Sequence, residues 1–155
     1  MGRWERVTAV IKMVDVGDKD LVKRVAIAKG RLILKKSTLN AIASNQIKKG
    51  DVISSSTLAA IQAVKATSTL LPLCHQIPLT SIEPSLRIEN GGLTATCKVS
   101  AIYRTGVEME ALVGVAVALL NAWDMVKYLE KDARGQYPGT SIMDLRVVTK
   151  RKGGD

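Results

Sequence analysis

The clearest pattern along the chain is a set of four segments that are rich in apolar and β-branched residues and bounded by turn residues. Such segments predict β-strands. The strands predicted in this way are Val22–Leu34, Leu79–Ile88, Leu93–Tyr103 and Ile142–Thr149. Lys29–Gly30 interrupts the first segment, which therefore predicts one strand or two strands around a turn. Asn90–Gly92 is a hairpin signal, because Asn-Gly suits the tight turns that join antiparallel strands.

Capping residues predict two helices between the first and second strands. Ser37 can cap a short helix through about Ser44. Asp51 is a good N-cap for a longer helix over roughly Val52–Thr67. The stretch Pro72–Pro78 is then irregular, because each proline removes a backbone donor and restricts the residue before it.

The longest helix is predicted after the third strand. Thr105–Glu108 has the spacing of a capping box, and the helix continues to about Lys131. Between Ala111 and Leu120 it is apolar on every side, so we expect it to be buried. Helices packed on one face of a mainly antiparallel sheet predict an α+β fold of the ferredoxin-like type.

Length and composition fit one domain. The chain has 155 residues and no linker or repeat that would divide it, so we expect a single domain with flexible ends at 1–12 and 151–155. Phe is absent and aromatic residues make up only 3%, which leaves Ala, Val, Leu and Ile to build the core. A net charge of +9 favours an anionic partner, and by itself leaves nucleic acid, a membrane surface or a nucleotide open.

The sequence favours a cytoplasmic protein. The segment before Val16 mixes charged and apolar residues and contains no signal-peptide region. The apolar run Ala111–Leu120 is too short to span a bilayer. Cys74 and Cys97 are therefore expected to be reduced thiols.

Three short clusters carry residues suited to chemistry. Pro72–His75 contains the only histidine, either a structural residue or an acid–base group, and no second Cys or His lies at zinc-ligand spacing from it. Thr105–Glu110 places Glu110 just before an apolar stretch, where a carboxylate loses hydration. Asp124–Lys127 puts an acid and a base on one helix face, which alone would be a weak surface ion pair.

Glu110 and Asp124 are too far apart to serve one small-molecule site on a single straight helix. Fourteen positions separate them, so they project within roughly 40° of each other but lie roughly 21 Å apart along the axis. If both are catalytic, the chain must pair with a copy of itself and the two copies must share the site.

Phosphate chemistry requires cations, and the chain has neither a Gly-x-x-x-x-Gly-Lys-Ser/Thr nor a Gly-x-Gly-x-x-Gly phosphate loop. Lys49 stands just before the helix predicted at Asp51, where an ammonium group adds to free backbone N–H donors. Each of the other cations, taken alone, is better explained as a solvated surface charge. These further candidates are Lys65, Lys127, Arg24, Arg146 and Lys150.

Five motifs occur in order from about Met13 to Lys150, most of the chain. They are Met13–Val16, Lys49–Val52, Leu71–His75, Thr105–Leu112 and Asp124–Lys127. Together they resemble the family of molybdenum cofactor biosynthesis protein C, the cyclic pyranopterin monophosphate synthases. The resemblance implies a ferredoxin-like α+β subunit, assembled as dimers into a hexamer with active sites at the dimer interfaces. It also implies conversion of a cyclised dihydro-GTP to cyclic pyranopterin monophosphate and pyrophosphate, without a redox cofactor.

Matching motif positions imply roles for individual residues. Asp124 is the implied catalytic acid/base, supported by Lys127 and Lys49. The residues implied to line the substrate pocket are Leu73, Cys74, His75, Met109 and Glu110, with Glu108 nearby. Lysines suit this reaction because expelling pyrophosphate develops negative charge. No cofactor or bound metal is implied, and neither nucleic acid nor a membrane is an expected partner.

The chain departs from the family pattern in several places. Gln76 stands where proline is common, and Val126 where cysteine is common. The loop Asp132–Ser141 is longer than usual, and the glycine-rich C-terminal segment is cut to Lys152–Asp155. None of these changes falls on an implied catalytic residue.

Three other interpretations stay open. A nucleic-acid-binding module would explain the charge, but the strands lack the aromatic residues on which bases stack. A purely structural subunit would explain the small-residue helices, but not why Cys74–His75, Glu110, Asp124 and Lys127 occur together. An inactive family member would not be expected to keep the acid and both lysines.

Overall fold

The protein folds as a four-stranded antiparallel sheet with its helices on one face, as the computed structural model shows for residues 9–154. The strands are β1 (Val22–Ile33), β2 (Leu79–Glu89), β3 (Gly92–Tyr103) and β4 (Ser141–Lys152), in the order β2-β3-β1-β4. The helices are α1 (Lys36–Ala43), α2 (Val52–Lys65), α3 (Thr67–Leu70) and α4 (Glu108–Glu130). α4 packs on β1 and β3, and α2 packs on β2 and α4. The predicted α+β, ferredoxin-like fold is confirmed.

The first strand is continuous through Lys29–Gly30, so the alternative of two strands around a turn is wrong. All of β1 pairs with β3 without interruption. Gly30 serves close packing, because a Cβ atom there would lie 3.0 Å from Val115 Cγ1 and 3.1 Å from Leu119 Cδ1. β1 is therefore a central strand on which α4 sits directly.

The β2–β3 hairpin predicted from Asn90–Gly92 is confirmed. Asn90 (φ 45°) and Gly91 (φ 75°) both have left-handed backbone conformations, as a two-residue type I′ turn requires. The tight turn fixes the register of the two strands, with Glu89 opposite Gly92.

The last strand is longer than predicted. Arg151 and Lys152 pair with Val25 and Arg24 of β1, so the end expected to be flexible from residue 151 belongs to the sheet through Lys152. Residues 1–8 and 155 of the two predicted flexible ends lie outside the described residues.

Of the two helix caps predicted before β2, one is confirmed and one is wrong. Asp51 caps α2, and its carboxylate accepts a hydrogen bond from the backbone N–H of Ser54 at 3.0 Å. Ser37 does not cap α1, which begins at Lys36. The helix has no side-chain cap, and the carboxyl group of the distant Glu130 accepts from the backbone N–H of Lys35, the residue before the helix, at 3.0 Å.

The capping box predicted for the longest helix is also absent. α4 begins at Glu108, with Val107 as its N-cap and no side-chain cap. The carboxylate of Glu108 pairs with Lys150 of β4 instead, at 2.5 Å between Nζ and Oε1. A tertiary ion pair has replaced the local cap that the spacing predicted.

α4 is buried where it meets the sheet but not on every side, which corrects the prediction. Val115 is fully buried, whereas Leu120 is 55% exposed. Gly114 brings the helix close to its neighbours, because a Cβ atom there would lie 2.6 Å from Val64 Cγ2 and 3.0 Å from Cys97 Sγ. One chain therefore leaves the outer face of α4 partly uncovered.

The same helix is longer than its apolar run suggested. The run Ala111–Leu120 is too short to span a bilayer, but α4 has 23 residues and by length and composition alone could do so. Half of its most apolar window is buried inside the fold, against β1 and β3. In this structure α4 is the core helix of the domain.

Candidate active site

The three residues predicted to be catalytic meet near the C-terminal end of α4. Asp124 and Lys127 lie one turn apart on the helix, and Lys49 comes from the loop between α1 and α2. One carboxylate oxygen of Asp124 contacts Lys49 Nζ at 2.6 Å, and the other contacts Lys127 Nζ at 3.0 Å. All three side chains are about half exposed. The result is a carboxylate held between two ammonium groups on an accessible surface.

The loop that carries Lys49 is fixed to α4 by an aromatic residue. The backbone N–H of Lys48 donates to the hydroxyl of Tyr128 at 3.2 Å, and Lys48 Nζ lies 5.1 Å from the centre of the same ring. Gly50 has φ 108°, a conformation that favours glycine, as the chain turns toward α2. Lys49 therefore reaches Asp124 from a loop with a defined position.

Pairing stabilises the charged forms of this cluster. Hydrogen bonds from Lys49 first and Lys127 second hold the pKa of Asp124 below its usual value. The hydrogen bond and the charge of Asp124 raise the pKa of Lys127. At neutral pH the cluster therefore offers an ionised carboxylate and ammonium donors.

The loop that the sequence marked as unusually long also reaches this cluster. Its Tyr137 packs edge to face on Trp123 of α4, with ring centroids 5.6 Å apart and planes at 88°. Trp123 and Lys127 are four positions apart and so share a helix face. Tyr137 was missed by the sequence prediction, because a loop residue carries no periodic signal.

The residues predicted to line the substrate pocket meet at the opposite end of α4. A cavity of about 430 Å³ is lined by all six of them: Leu73, Cys74, His75, Glu108, Met109 and Glu110. A neighbouring cavity of about 720 Å³ shares His75, Ile77 and Glu110 with the first and also includes Lys65. The sequence-predicted pocket residues thus form one continuous site around Glu110.

Glu110 is buried and Cys74 is partly buried in this pocket. Glu110 is only 4% exposed. Burial first, and the charge of Glu108 in addition, raise the pKa of Glu110 above its ordinary value. Burial and then the charge of Glu110 raise the pKa of the Cys74 thiol. These two groups therefore favour their neutral forms, which is the reverse of the Asp124 cluster.

Glu108 behaves differently from its neighbour on the helix. Burial works to raise the pKa of Glu108, but the hydrogen bond from Lys150, the backbone of Glu108 itself and the charges of Lys150 and Arg24 outweigh that effect and lower the pKa. Glu108 is thus a paired carboxylate at the edge of the pocket, whereas Glu110 faces the cavity.

His75 is not a free imidazole in this structure. Its Nε2 lies 2.7 Å from the backbone carbonyl oxygen of Val14, which can only accept, so Nε2 donates. The histidine consequently joins the irregular loop after α3 to the segment that precedes β1. Nδ1 remains the ring nitrogen available for other chemistry.

Arg24 and Lys150 are not among the residues that line the two cavities, and their contacts are with protein groups beside the pocket. Arg24 is 8% exposed, and its guanidinium donates to the backbone carbonyls of Tyr103 (3.4 Å) and Arg104 (3.1 Å). Lys150 pairs with Glu108, as described above. Both cations therefore stabilise the N-terminal end of α4 and the residues just before it.

Arg146 is not brought to either cluster. It pairs across strands with Lys29, which alternates with the fully buried Ala28 and therefore points away from the helices. There it lines a separate cavity of about 210 Å³ together with Lys29 and Arg31. Its predicted role in substrate binding stays a prediction.

Two lysines that the sequence prediction passed over also line the 430 Å³ cavity. Lys12 and Lys19 stand on either side of the motif Met13–Val16, in an irregular segment. Their proximity to that motif was the available signal. Among residues 9–154, no group of three or more His, Cys, Asp or Glu side chains could hold a metal ion.

Comparisons with known proteins agree on one family. The MoaC family model matches residues 13–153. A protein of Thermococcus kodakarensis named "Probable cyclic pyranopterin monophosphate synthase" is 55% identical over 143 residues, 92% of each chain. Proteins of the same name from Sulfolobus acidocaldarius and Archaeoglobus fulgidus are 53% and 51% identical, over 90% and 93% of this chain and 98% and 92% of theirs. This chain belongs to the MoaC family.

Proposed function

We propose that the protein is a cyclic pyranopterin monophosphate synthase of molybdenum cofactor biosynthesis. It converts 3′,8-cyclo-7,8-dihydro-GTP to cyclic pyranopterin monophosphate and pyrophosphate. The observation that carries the proposal is the carboxylate of Asp124 held between Lys49 and Lys127 in a chain of this family. Relatives that are 51–55% identical are named as probable cyclic pyranopterin monophosphate synthases, which supports the same activity.

The chemistry of the phosphate step suits this cluster. A hydroxyl oxygen of the substrate bonds to the α-phosphorus, and the bond from that phosphorus to the oxygen bridging toward the β-phosphorus breaks. The hydroxyl proton passes to Asp124, which is ionised because its pKa is lowered. Lys49 and Lys127 neutralise the charge that develops on the departing pyrophosphate.

The pocket around Glu110 suits the remainder of the substrate. Lys12 and Lys19 line one cavity and Lys65 lines the other, so the pocket carries positive charge for a polyphosphate. Glu110, with its raised pKa, is suited to exchange a proton during the ring rearrangement. The proposed roles of Cys74 and His75 are to shape and contact the ring system.

We place the complete site between two copies of the chain. Asp124 and Glu110 lie roughly 21 Å apart along one helix, which is too far for one compact substrate. The partly uncovered face of α4, where Leu120 is 55% exposed, offers apolar surface for a second copy. The assembly that the family resemblance implies is a hexamer built from three such dimers, acting in the cytoplasm without a redox cofactor.

A mixing experiment tests the reaction and the shared site together. Asp124→Asn and Glu110→Gln chains are each assayed for pyrophosphate release, then co-folded and assayed again. In a random mixture half of the dimers contain both variants, and one of the two shared sites in each of these has both residues intact. One site in four is therefore intact, and the mixture should regain about a quarter of wild-type turnover. Glu83→Gln is the matched control, because Glu83 also pairs with a lysine, Lys98, at 3.2 Å on the sheet.

Each result has a distinct meaning. Wild-type protein that binds the substrate without releasing pyrophosphate would remove the enzyme assignment and favour a binding module. If Asp124→Asn has full turnover, the assigned reaction stands but Asp124 is not its acid/base residue. Two inactive variants that do not complement each other would place the whole site within one chain.

A further inference from the structure

The segment from Lys12 to Lys19, which we call the strap, forms one wall of the 430 Å³ cavity. It contributes Lys12, Val14, Val16 and Lys19 to the lining and has no helix or strand of its own. Two local hydrogen bonds shape it: Gly17 N–H to the carboxylate of Asp15 (2.7 Å), and Lys19 N–H to the carbonyl of Val16 (3.1 Å). These bonds bend the strap but do not attach it to the domain.

Attachment comes from two side chains outside the strap, those of Arg104 and His75. The guanidinium of Arg104 donates from one nitrogen to the carbonyls of both Gly17 and Lys19, the latter at 2.7 Å. His75 adds the hydrogen bond to Val14 described above. Arg104 thus holds the strap in place at Lys19, one of the two lysines of the strap.

The backbone of Arg104 is in turn held by a hydrogen bond from Arg24. Arg24, which is almost fully buried on β1, donates to the backbone carbonyl of Arg104 at 3.1 Å. Arg104 also directly precedes Thr105–Gly106, which line the same cavity. The contacts run from the central strand through Arg24 and Arg104 to the strap.

We infer that Arg104 is a positioning residue, which fixes the strap so that the Lys12 and Lys19 ammonium groups face the polyphosphate of the substrate. This inference rests on the proposed function. Without Arg104, the strap keeps its internal turn but loses its fastening next to Lys19. The lysines then face the cavity for a smaller fraction of the time. The affinity for an anion should therefore fall more than the rate of the chemical step.

Trypsin gives a test that does not depend on turnover, because it cleaves after Lys12 and Lys19. Folded Arg104→Ala should be cut at these positions about tenfold faster than wild type, the change expected when a charge-assisted hydrogen bond is lost. Arg104→Lys, which keeps a cationic donor, should fall between the two. Arg87→Ala, on the open face of the sheet, is the control and should be cut at the wild-type rate.

Binding of inorganic pyrophosphate, measured by calorimetry, tests the connection to Lys19. Arg104→Ala should weaken binding about tenfold, and in a Lys19→Ala background the same change should weaken it less than about threefold, because the two residues act on one contact. For the enzyme, KM should rise more than kcat falls.

Wild-type trypsin resistance in Arg104→Ala would overturn the inference, as would an undiminished effect in the Lys19→Ala background. If wild type binds pyrophosphate but catalyses nothing, while Arg104→Ala loosens the strap and weakens binding, the proposed function fails and the positioning role stands.

Discussion

Helix α4 buries a glutamate near each of its ends, and the two side chains have opposite surroundings. Glu130, at the C-terminal end, is 1% exposed, and its oxygens accept from Thr38 Oγ1 (2.5 Å), Thr140 Oγ1 (2.6 Å) and the Lys35 backbone (3.0 Å). Glu110, at the N-terminal end, is 4% exposed and lines both cavities of the pocket, and within residues 9–154 the only donor to its carboxyl group is its own backbone N–H.

The contrast shows that burial alone does not identify a functional acid. Glu130 joins α1, α4 and the start of β4, so its acceptors are already committed to the fold. Glu110 has lost hydration without gaining those partners, which is why its pKa is raised and its carboxyl group is available to a ligand. Substitutions at the two glutamates test this distinction.

The largest effect is expected from Glu130→Ala. The substitution leaves the hydroxyls of Thr38 and Thr140 and the Lys35 N–H without their acceptor inside the protein, and should reduce the free energy of unfolding by about 3 kcal/mol. Glu130→Gln keeps one acceptor oxygen and should cost about 1 kcal/mol. Urea unfolding followed by circular dichroism measures both, and equal losses in the two variants would contradict the proposed role of the acceptors.

Glu110→Gln should affect turnover rather than folding. The amide has the shape of the protonated acid and no charge to desolvate, so the free energy of unfolding at neutral pH should be unchanged or slightly higher. It cannot exchange a proton, so kcat should fall about a hundredfold. Steady-state kinetics together with urea unfolding test the pair of expectations, and a large loss of stability with normal kcat would make Glu110 a structural residue like Glu130.

The smallest effect is on the pH dependence of stability. The folded-state pKa of Glu110 is raised, so the stability it contributes is fully present below the ordinary glutamate pKa and is lost as pH rises through the raised value. Glu110→Gln removes this loss. The difference in melting temperature, variant minus wild type, should therefore increase from acidic to neutral pH. A difference that stays flat across this range would contradict the raised pKa.

The sequence predicted elements whose signals are local. The Asn90–Gly91 turn and the Asp51 cap need only neighbouring residues, and both are present. The cap predicted at Ser37 is absent because α1 already begins at Lys36, and the capping box is absent because Glu108 pairs with Lys150 from another element.

The same distinction holds for the candidate site: residues within motifs were predicted, and residues positioned by distant contacts were missed. The family motifs placed Asp124 beside Lys49, and both ends of α4 contain the residues expected of them. Lys12 and Lys19 were missed because an irregular strap has no periodicity, and its position depends on hydrogen bonds from the distant Arg104. Arg146 was included for its charge, and only the alternation along β1 places it on the other face.

The pairing of β1 with β4 has a consequence for synthesis on the ribosome. Arg24 pairs with Lys152, a residue translated 128 positions later, whereas β2 and β3 are neighbours in the chain and can form their hairpin early. Until the last strand emerges, β1 has an open edge of unpaired backbone groups. The same strand delivers Lys150 to Glu108. A nascent chain therefore completes its sheet and the edge of its pocket in one late step, and a chain that ends before Ser141 retains the kind of exposed strand that promotes aggregation.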